Sequence, residues 1–384
     1  MTMERNPFLI QTYVSPEYFC DRKTETDEII RKLTNGNNML LMSPRRMGKT
    51  GLIEHCFYQK ALNRNCYLFY IDIYATANLQ EFVYMLGKSI FDKLKPKGKN
   101  VLDGFFSVIT SLRPAFRLDE QSGQPVFDIG VGEIKSPEYS IEEIFKYLQN
   151  ADKPCIVAID EFQQIAKYPQ NNVEAILRTH VQKASNCTFL FAGSQHHLLR
   201  NIFFSASRPF YQSVSVLTLT CIDKEVYVKF VLNHFLQHQK KISSEIAGMV
   251  YEAFEGHTFY IQSIFNELYS LLDKEEECTA EMLQIALDRK IKSFETIYQD
   301  TLVLLSQRQK EVLYAISKAR KASNISSIEF VNKYGLKSPS SVQSAVKQLI
   351  EKELVFMDNS VYQVYDRFFG IWLSTVFGNG YKIY

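Results

Sequence analysis

A cation, a hydroxyl and a pair of adjacent carboxylates are the side chains that polyphosphate chemistry needs, and this sequence carries them in two places. Ser43-Pro-Arg-Arg-Met-Gly-Lys-Thr50 ends in glycine, lysine and threonine, and Asp160-Glu161 closes the apolar run Cys155–Ile159. In the first stretch, backbone N–H groups and the positive end of a helix dipole are expected to wrap phosphates. Lys49 would reach the outer phosphates, and the Thr50 hydroxyl would hold Mg²⁺. The candidate nucleotide-binding residues are Ser43, Pro44, Arg45, Arg46, Met47, Gly48, Lys49, Thr50 and Gly51. Ser43 stands where such loops usually begin with Gly, while Gly48, which must let the backbone approach a phosphate, is present.

In the second stretch, Asp160 is the candidate metal ligand beside Thr50, acting directly or through water. Glu161 is the candidate base that polarises a water for in-line attack on the terminal phosphorus. A Gly-Lys-Thr triplet can follow an apolar run by chance, and a strand can simply stop at solvated acids. Coupled in one chain, each at the end of an apolar run, the two make chance a poor account. Ser194 ends Thr188-Phe-Leu-Phe-Ala-Gly-Ser194. It either hydrogen-bonds the attacking water or the γ-phosphate, or merely begins a turn; it joins Lys49 and Glu161 as a candidate catalytic residue. Arg208, in Ser207-Arg-Pro-Phe-Tyr211, reads as a solvated surface residue, with an arginine finger acting on a neighbouring subunit as the alternative.

The elements that must position these groups follow from periodicity. Met39–Met42 reads as a buried strand, and Thr50 to about Leu62 as a helix with Ile53, Cys56, Phe57 and Ala61 on one face. Cys66–Asp72 is a second strand, ending in a polar residue. Leu79, Phe82, Val83, Leu86, Ile90 and Leu94 then recur at helical spacing. The pattern breaks over 95–137, where Ala115–Asp119 and Pro125–Ile129 flank a turn and predict a β-hairpin insertion. Ser140 with Glu143 three residues on predicts a capping-box helix start. Strands over Lys153–Glu161, Thr188–Ser194 and Val214–Leu219, alternating with helices, predict a mostly parallel sheet covered on both faces. In such a sheet both carboxylates lie at the carboxyl ends of the strands, where ligands bind. Beyond Asp223 the pattern is helical to about Arg289, and Gly256 is placed at a helix end.

The last eighty residues predict a winged helix. Ser306–Ala319 and Ser326–Tyr334 read as helices, and Ser338–Ile350 as a recognition-type helix with a polar first turn. Leu354–Asp358 and Val361–Val364, joined at Asn359-Ser360, make the wing. Residues 301–384 hold eleven basic and six acidic side chains, a surplus of five. That could meet phosphates, with Ser338, Ser340, Ser341 and Gln343 near base edges or backbone. The helix is poor in Arg and Asn, so sequence-specific reading is not expected. A protein-facing role stands beside weak, non-specific duplex DNA binding.

Ser-Pro-Arg-Arg-Met-Gly-Lys-Thr50, Ile-Asp-Glu-Phe-Gln163 and Phe-Ala-Gly-Ser194 together resemble the archaeal-type ATPase family, in the signal-transducing branch of P-loop NTPases close to AAA+ proteins. Phe-Cys-Asp-Arg22, Gly-His-Thr-Phe-Tyr-Ile-Gln262 and Tyr-Asp-Arg-Phe-Phe-Gly-Ile-Trp-Leu373 agree with it. The likeness runs from about residue 6 to 375. Asp21 stands where that family usually has Gly, Thr258 where it has Pro, and Tyr211-Gln-Ser213 lacks the usual Arg. The resemblance implies an ATPase core, a helical lid and a C-terminal winged helix.

The expected organisation is therefore an α/β P-loop core, AAA+-like, over 1–220 with the hairpin insertion near 95–137, a helical lid over 221–295 and a winged helix over 296–384. The expected cofactors are ATP and Mg²⁺. Slow hydrolysis would switch the arrangement of lid and winged helix; a nucleotide-held protein-binding scaffold with negligible turnover is the alternative. A protein partner and self-association both stay open. A chain of 384 residues, 46% hydrophobic, is long enough for such cores, and a formal net charge of +2 speaks neither for nor against nucleic acid. Seven Cys, an odd count with no C-x-x-C pair and several inside apolar runs, read as buried reduced thiols. No apolar run approaches the roughly 18 residues of a membrane helix. Met1–Pro7 has no apolar core or cleavage signal. The expected location is cytoplasmic, with no membrane partner.

Overall fold

A computed structural model of the chain describes residues 5–94, 105, 107–112, 116–118, 125–127, 134–378, 381 and 383. Two compact units divide it, Thr12–Thr220 and Cys221–Tyr384, the second joined by the segment that ends at Gln11.

The first unit is built on strands β1 (Met39–Met42), β2 (Tyr67–Asp72), β3 (Phe116–Leu118), β4 (Pro125–Phe127), β5 (Cys155–Asp160), β6 (Cys187–Gly193) and β7 (Ser215–Thr218). Five of them form one sheet in the order β2-β5-β6-β1-β7, with parallel pairing at every step. β1, β5 and β6 are buried along their whole length, as the unbroken apolar runs require of strands covered on both faces. Alternate side chains feed two cores. Leu40, Phe69, Val157, Ile159 and Phe191 face one, with the helices Leu79–Leu94, Pro137–Gln149 and Val173–Lys183. Leu41, Leu68, Ile156, Ala158 and Leu190 face the other, with Lys23–Thr34 and Lys49–Tyr58.

β3 and β4 pair antiparallel with each other; the turn expected between them lies outside the described residues. Phe105, Ile109, Leu112 and Ile134 are buried in the first of the two cores.

Two local expectations are overturned. The helix from Lys49 stops at Tyr58, because Gln59 is extended (ψ 137°), and a short helix restarts over Lys60–Asn63. The break shifts the phase, so Leu62 is buried and Ala61 exposed. Ser140 is not a cap. The helix begins at Pro137, whose fixed φ suits the first helical position, and Ser140 is a buried interior residue bonded back to the Ser136 carbonyl. Glu143 instead accepts from the N–H and hydroxyl groups of Thr110 and Ser111.

The second unit begins with four helices, Lys224–Gln237, Ser244–Ala253, Thr258–Leu271 and Ala280–Lys292. Asp223, Ser243 and Thr279 cap three of them with side-chain oxygens. The N-terminal segment is pinned here: Phe8 packs between Phe235 and Phe265, and Asn266 donates to the Phe8 carbonyl at 2.8 Å.

The winged helix follows. Gln307–Ala319 starts with a Ser306/Gln309 capping box, and Ile328–Lys333 and Pro339–Glu351 come next. β8 (Ala322–Ser323), β9 (Val355–Asp358) and β10 (Val361–Val364) form an antiparallel sheet in the order β8-β10-β9. Asn359 and Ser360 are both left-handed (φ 46° and 64°), the two-residue turn that matches strand twist in a hairpin. Asp366 caps the closing helix, Arg367–Phe377, by accepting from Phe368 and Phe369. Phe368 lies edge-on to Phe254 and Tyr260.

Candidate active site

Ser43, Asp160 and Gly193 sit at the carboxyl ends of three neighbouring strands, β1, β5 and β6. The Ser43 N–H donates to the Gly193 carbonyl at 3.2 Å, continuing the β1–β6 ladder one residue past the strand. The buried Ser43 hydroxyl donates to the Pro44 carbonyl at 2.8 Å. The loop then turns through left-handed Arg46 (φ 66°) and Gly48 (φ 85°) into the helix that begins at Lys49. A Cβ on Gly48 would meet nothing within 4 Å, so the backbone angle rather than crowding favours glycine there.

The two stretches named from sequence meet. Lys49 forms ion pairs with Asp160 and, at 2.9 Å, with Glu161 Oε1. The Thr50 hydroxyl donates to Asp160 Oδ2 at 3.1 Å. Asp160 also accepts from the Tyr70 hydroxyl at 3.0 Å and from the Glu161 N–H at 2.8 Å. Asp160 is 2% exposed and Lys49 7%, and burial of both charges is tolerable only because each has its partners. Ser194 donates to Glu161 Oε2 at 3.1 Å and accepts from Arg45 Nε at 3.3 Å. The Arg45 guanidinium also lies over the Tyr74 ring, 5.6 Å from its centre. Glu161 is left-handed (φ 55°) at the junction of β5 with the 3₁₀ helix Phe162–Lys167, a conformation uncommon for a residue with a side chain.

Sequence reasoning missed Tyr70, Asp72 and Gln163. Tyr70 pairs in register with Ala158, so it shares a face with Asp160 two residues on. Burial, then the Asp160 charge, pushes its phenol well above the ordinary range. Asp72 stands in register with Asp160; burial raises its carboxyl, and the Asp160 and Glu161 charges add to that. Gln163 donates to Glu161 Oε2. For Tyr70 and Asp72 the signal lay in the pairing of β2 with β5, and for Gln163 in the approach of Gly193 at the end of β6; no local pattern reveals either. Arg208 pairs within the chain, with Glu174 at 3.2 Å.

The donor set suits Mg²⁺. Thr50 and Asp160 offer hard oxygen atoms, and that ion is typically held by one or two protein oxygens with phosphate and water completing the octahedron. Among the described residues no group of three His, Cys, Asp or Glu side chains could hold a metal ion by itself, so phosphate oxygens would be required.

The segment before β1 accommodates its unusual residue. Asp21 (φ 55°) and Arg22 (φ 64°) are both left-handed, which explains a preference for Gly at position 21; Asp is among the few side chains that accept that region. Arg22 is buried and donates to Glu25 and to the Thr220 carbonyl, each at 2.7 Å. Phe19 stacks on His55 of the helix after the loop, ring centres 4.2 Å apart.

No curated protein sequence matches the chain. Among solved structures, the Walker-type ATPase of Pyrococcus abyssi is similar over 96% of this chain and 99% of its own, with a TM-score of 0.66 and 16% identity. The ORC2 protein of Aeropyrum pernix, solved in ADPNP–ADP complexes, gives 0.56 and 12%, covering 97% of this chain and 96% of its own. The ORC1 protein of the same organism, solved in complex with DNA, gives 0.56 and 13% over the same shares. At these identities the likeness is one of fold: a P-loop NTPase sheet and a C-terminal winged helix. No helix among the described residues is long and apolar enough to cross a membrane. The model of a family described as a probable winged helix domain matches residues 296–375, and that of an ATPase domain predominantly from Archaea matches residues 19–264, well over half the chain. The chain belongs to this ATPase family.

Proposed function

We propose that the protein binds ATP with Mg²⁺ at Ser43–Gly51 and hydrolyses it slowly. The observation that carries this is the convergence of Lys49, Thr50, Asp160 and Glu161 at the carboxyl ends of β1 and β5. Main-chain N–H groups of the loop and the first turn of the helix from Lys49 cradle the phosphates. Lys49 exchanges its carboxylate partners for the outer phosphates, a charge-assisted contact of the same kind. Thr50 and Asp160 supply the protein oxygens of the metal site. Bound Mg²⁺ would neutralise the charge that builds on the phosphate oxygens as the terminal bond breaks. Glu161 takes the proton of the attacking water, and Ser194, already bonded to Glu161, helps to place that water.

The output is proposed to pass through the winged helix, switched by the nucleotide. The DNA complex of the similar ORC1 protein and the basic surplus of residues 301–384 support non-specific duplex DNA as the partner. A second reading, a nucleotide-held scaffold for a protein partner or for self-association, is favoured by one fact: Ser338 and Ser341 are tied up in a reciprocal capping box at the start of the helix Pro339–Glu351 rather than free to meet DNA. No helix among the described residues is long and apolar enough to cross a membrane, and a cytoplasmic location is proposed.

The deciding experiment compares steady-state ATP hydrolysis and ATP binding in wild type and Glu161→Gln. The variant should retain ATP while losing turnover, because an amide cannot take the water's proton. Equal turnover in the two proteins would remove Glu161 as the base, and absence of turnover in wild type would leave the scaffold reading.

A further inference from the structure

Glu161 is held by more than the residues that conduct the proposed reaction. Its Oε1 accepts from Lys49 at 2.9 Å, and its Oε2 accepts from Ser194 at 3.1 Å and from the side-chain amide of Gln163. Gln163 is only 2% exposed, and its own carbonyl, Oε1, is buried with no hydrogen-bond partner. An amide placed there for stability alone would satisfy both ends; this one satisfies only the end that faces Glu161. The opposite strand has made room for it. A methyl group on Gly193, the last residue of β6, would fall 2.0 Å from Gln163 Oε1 and 3.1 Å from Leu199 Cδ1. Glycine at 193, whose φ needs no special freedom, is thus explained by the approach of the Gln163 amide.

We propose that Gln163, seated against Gly193, is the positioning residue for Glu161: with Ser194 it anchors Oε2, so that Oε1, vacated when Lys49 turns to the phosphates, is the oxygen presented to the attacking water. The inference rests on the hydrolytic reading of the site. It divides the carboxylate into an anchored and a working oxygen, and so assigns a task to a side chain outside the set proposed to hold metal and phosphate. The left-handed backbone at Glu161 is consistent with a carboxylate whose direction is set by its surroundings rather than by its own rotamer preference.

Gln163→Met keeps volume and packing but removes the donor; Gly193→Ala keeps the donor but takes its seat. Each should lower kcat by about 10- to 100-fold, the scale of a misplaced reacting group, with KM for ATP and the dissociation constant of ATP changed by less than about threefold. The two effects should not add: in the Gln163→Met background Gly193→Ala should lower kcat little further, because residues acting through one contact are coupled. A nucleotide-free readout accompanies this. The ¹H–¹⁵N signals of the Gln163 side chain, assigned by their loss in Gln163→Met, should show slow exchange in wild type. Free-amide behaviour should appear in Gly193→Ala and in Glu161→Ala. Wild-type kcat in Gln163→Met, in a protein whose turnover Glu161→Gln abolishes, would overturn the inference and leave the hydrolytic reading standing. Multiplying effects of the two variants, or a freely exchanging amide in wild type, would overturn it as well. Wild-type turnover no greater than that of Glu161→Gln would remove the hydrolytic reading and this inference with it.

Discussion

Arg367 donates through Nη2 to Glu255 Oε2 at 2.7 Å, so a side chain of the closing helix of the winged helix grips the turn that follows the helix Ser244–Ala253. Lys321 pairs with the other oxygen of the same carboxylate. Burial alone would raise the Glu255 carboxyl, but the hydrogen bond from Lys321 and the Arg367 charge outweigh it and hold it below its ordinary value. A depressed carboxyl contributes stability that is present above its unfolded pKa and is lost as pH falls through the folded one. Glu255→Gln should therefore lower the stability of the protein at neutral pH, and the difference should shrink in the acidic range below the ordinary carboxylate value. The Glu255 side chain is 35% exposed, so solvent screening limits the effect to about 0.5–1 kcal/mol. Urea unfolding of both proteins at neutral and acidic pH measures it; a difference that does not shrink in acid would assign the loss to packing.

Lys49 bears on stability as well as on binding. It is buried between Asp160 and Glu161, so Lys49→Ala leaves two carboxylates without their cation. Removing one partner of a buried pair costs about 3–5 kcal/mol. The variant should melt at lower temperature and gain no thermal stabilisation from Mg-ATP, whereas wild type gains it by mass action. Lys49→Arg is the control: it keeps the charge and should recover most of the melting temperature. Stabilisation of Lys49→Ala by Mg-ATP equal to that of wild type would show that the nucleotide does not use this lysine.

At position 21 the expectation is one of backbone strain. Asp21 is exposed and left-handed, so its packing contributes little and the angle decides. Asp21→Gly should leave stability unchanged or slightly raised, while Asp21→Leu should cost about 1–2 kcal/mol, the penalty for the left-handed region. Equilibrium denaturation of the three proteins distinguishes them, and an equal loss in both variants would point instead to a contact of the Asp side chain.

What the sequence disclosed, and what it hid, follows from the range of each interaction. That Gly48, Lys49 and Thr50 would meet Asp160 and Glu161 was readable because the first three follow one apolar run by a short loop and the two acids close another, and both runs become interior strands of one parallel sheet. The helix Leu79–Leu94 was readable because its buried residues are those of the apolar period. Tyr70 and Gln163 were not, since their roles depend on which strand neighbours which and how closely β6 approaches. Ser140 misled because a local capping pattern lost to Pro137, and Glu143 was drawn instead to Thr110 and Ser111, over thirty residues earlier in the chain. The break at Gln59 carries no sequence mark such as Gly or Pro.

The winged helix offers its test of DNA binding on the exposed side of the helix Pro339–Glu351. Ser338 and Ser341 are occupied in a reciprocal capping box, so they hold the helix start rather than remain free for a base. Ser340, Gln343, Ser344 and Lys347 are exposed along the helix, with Lys337 exposed just before it. That set can neutralise phosphates and has no Arg or Asn to read a base in the major groove. Duplex DNA should therefore bind weakly, alike across unrelated sequences, with affinity that falls steeply as salt rises, since each neutralised phosphate releases counterions. Lys337→Glu with Lys347→Glu should weaken binding to every duplex and flatten the log–log salt slope by about two, near one for each lost contact. Fluorescence anisotropy over a salt series, with and without Mg-ATP, measures both quantities. An unchanged slope in the double variant would move the DNA contact off this helix, and no binding at low salt in either nucleotide state would assign the winged helix to a protein partner.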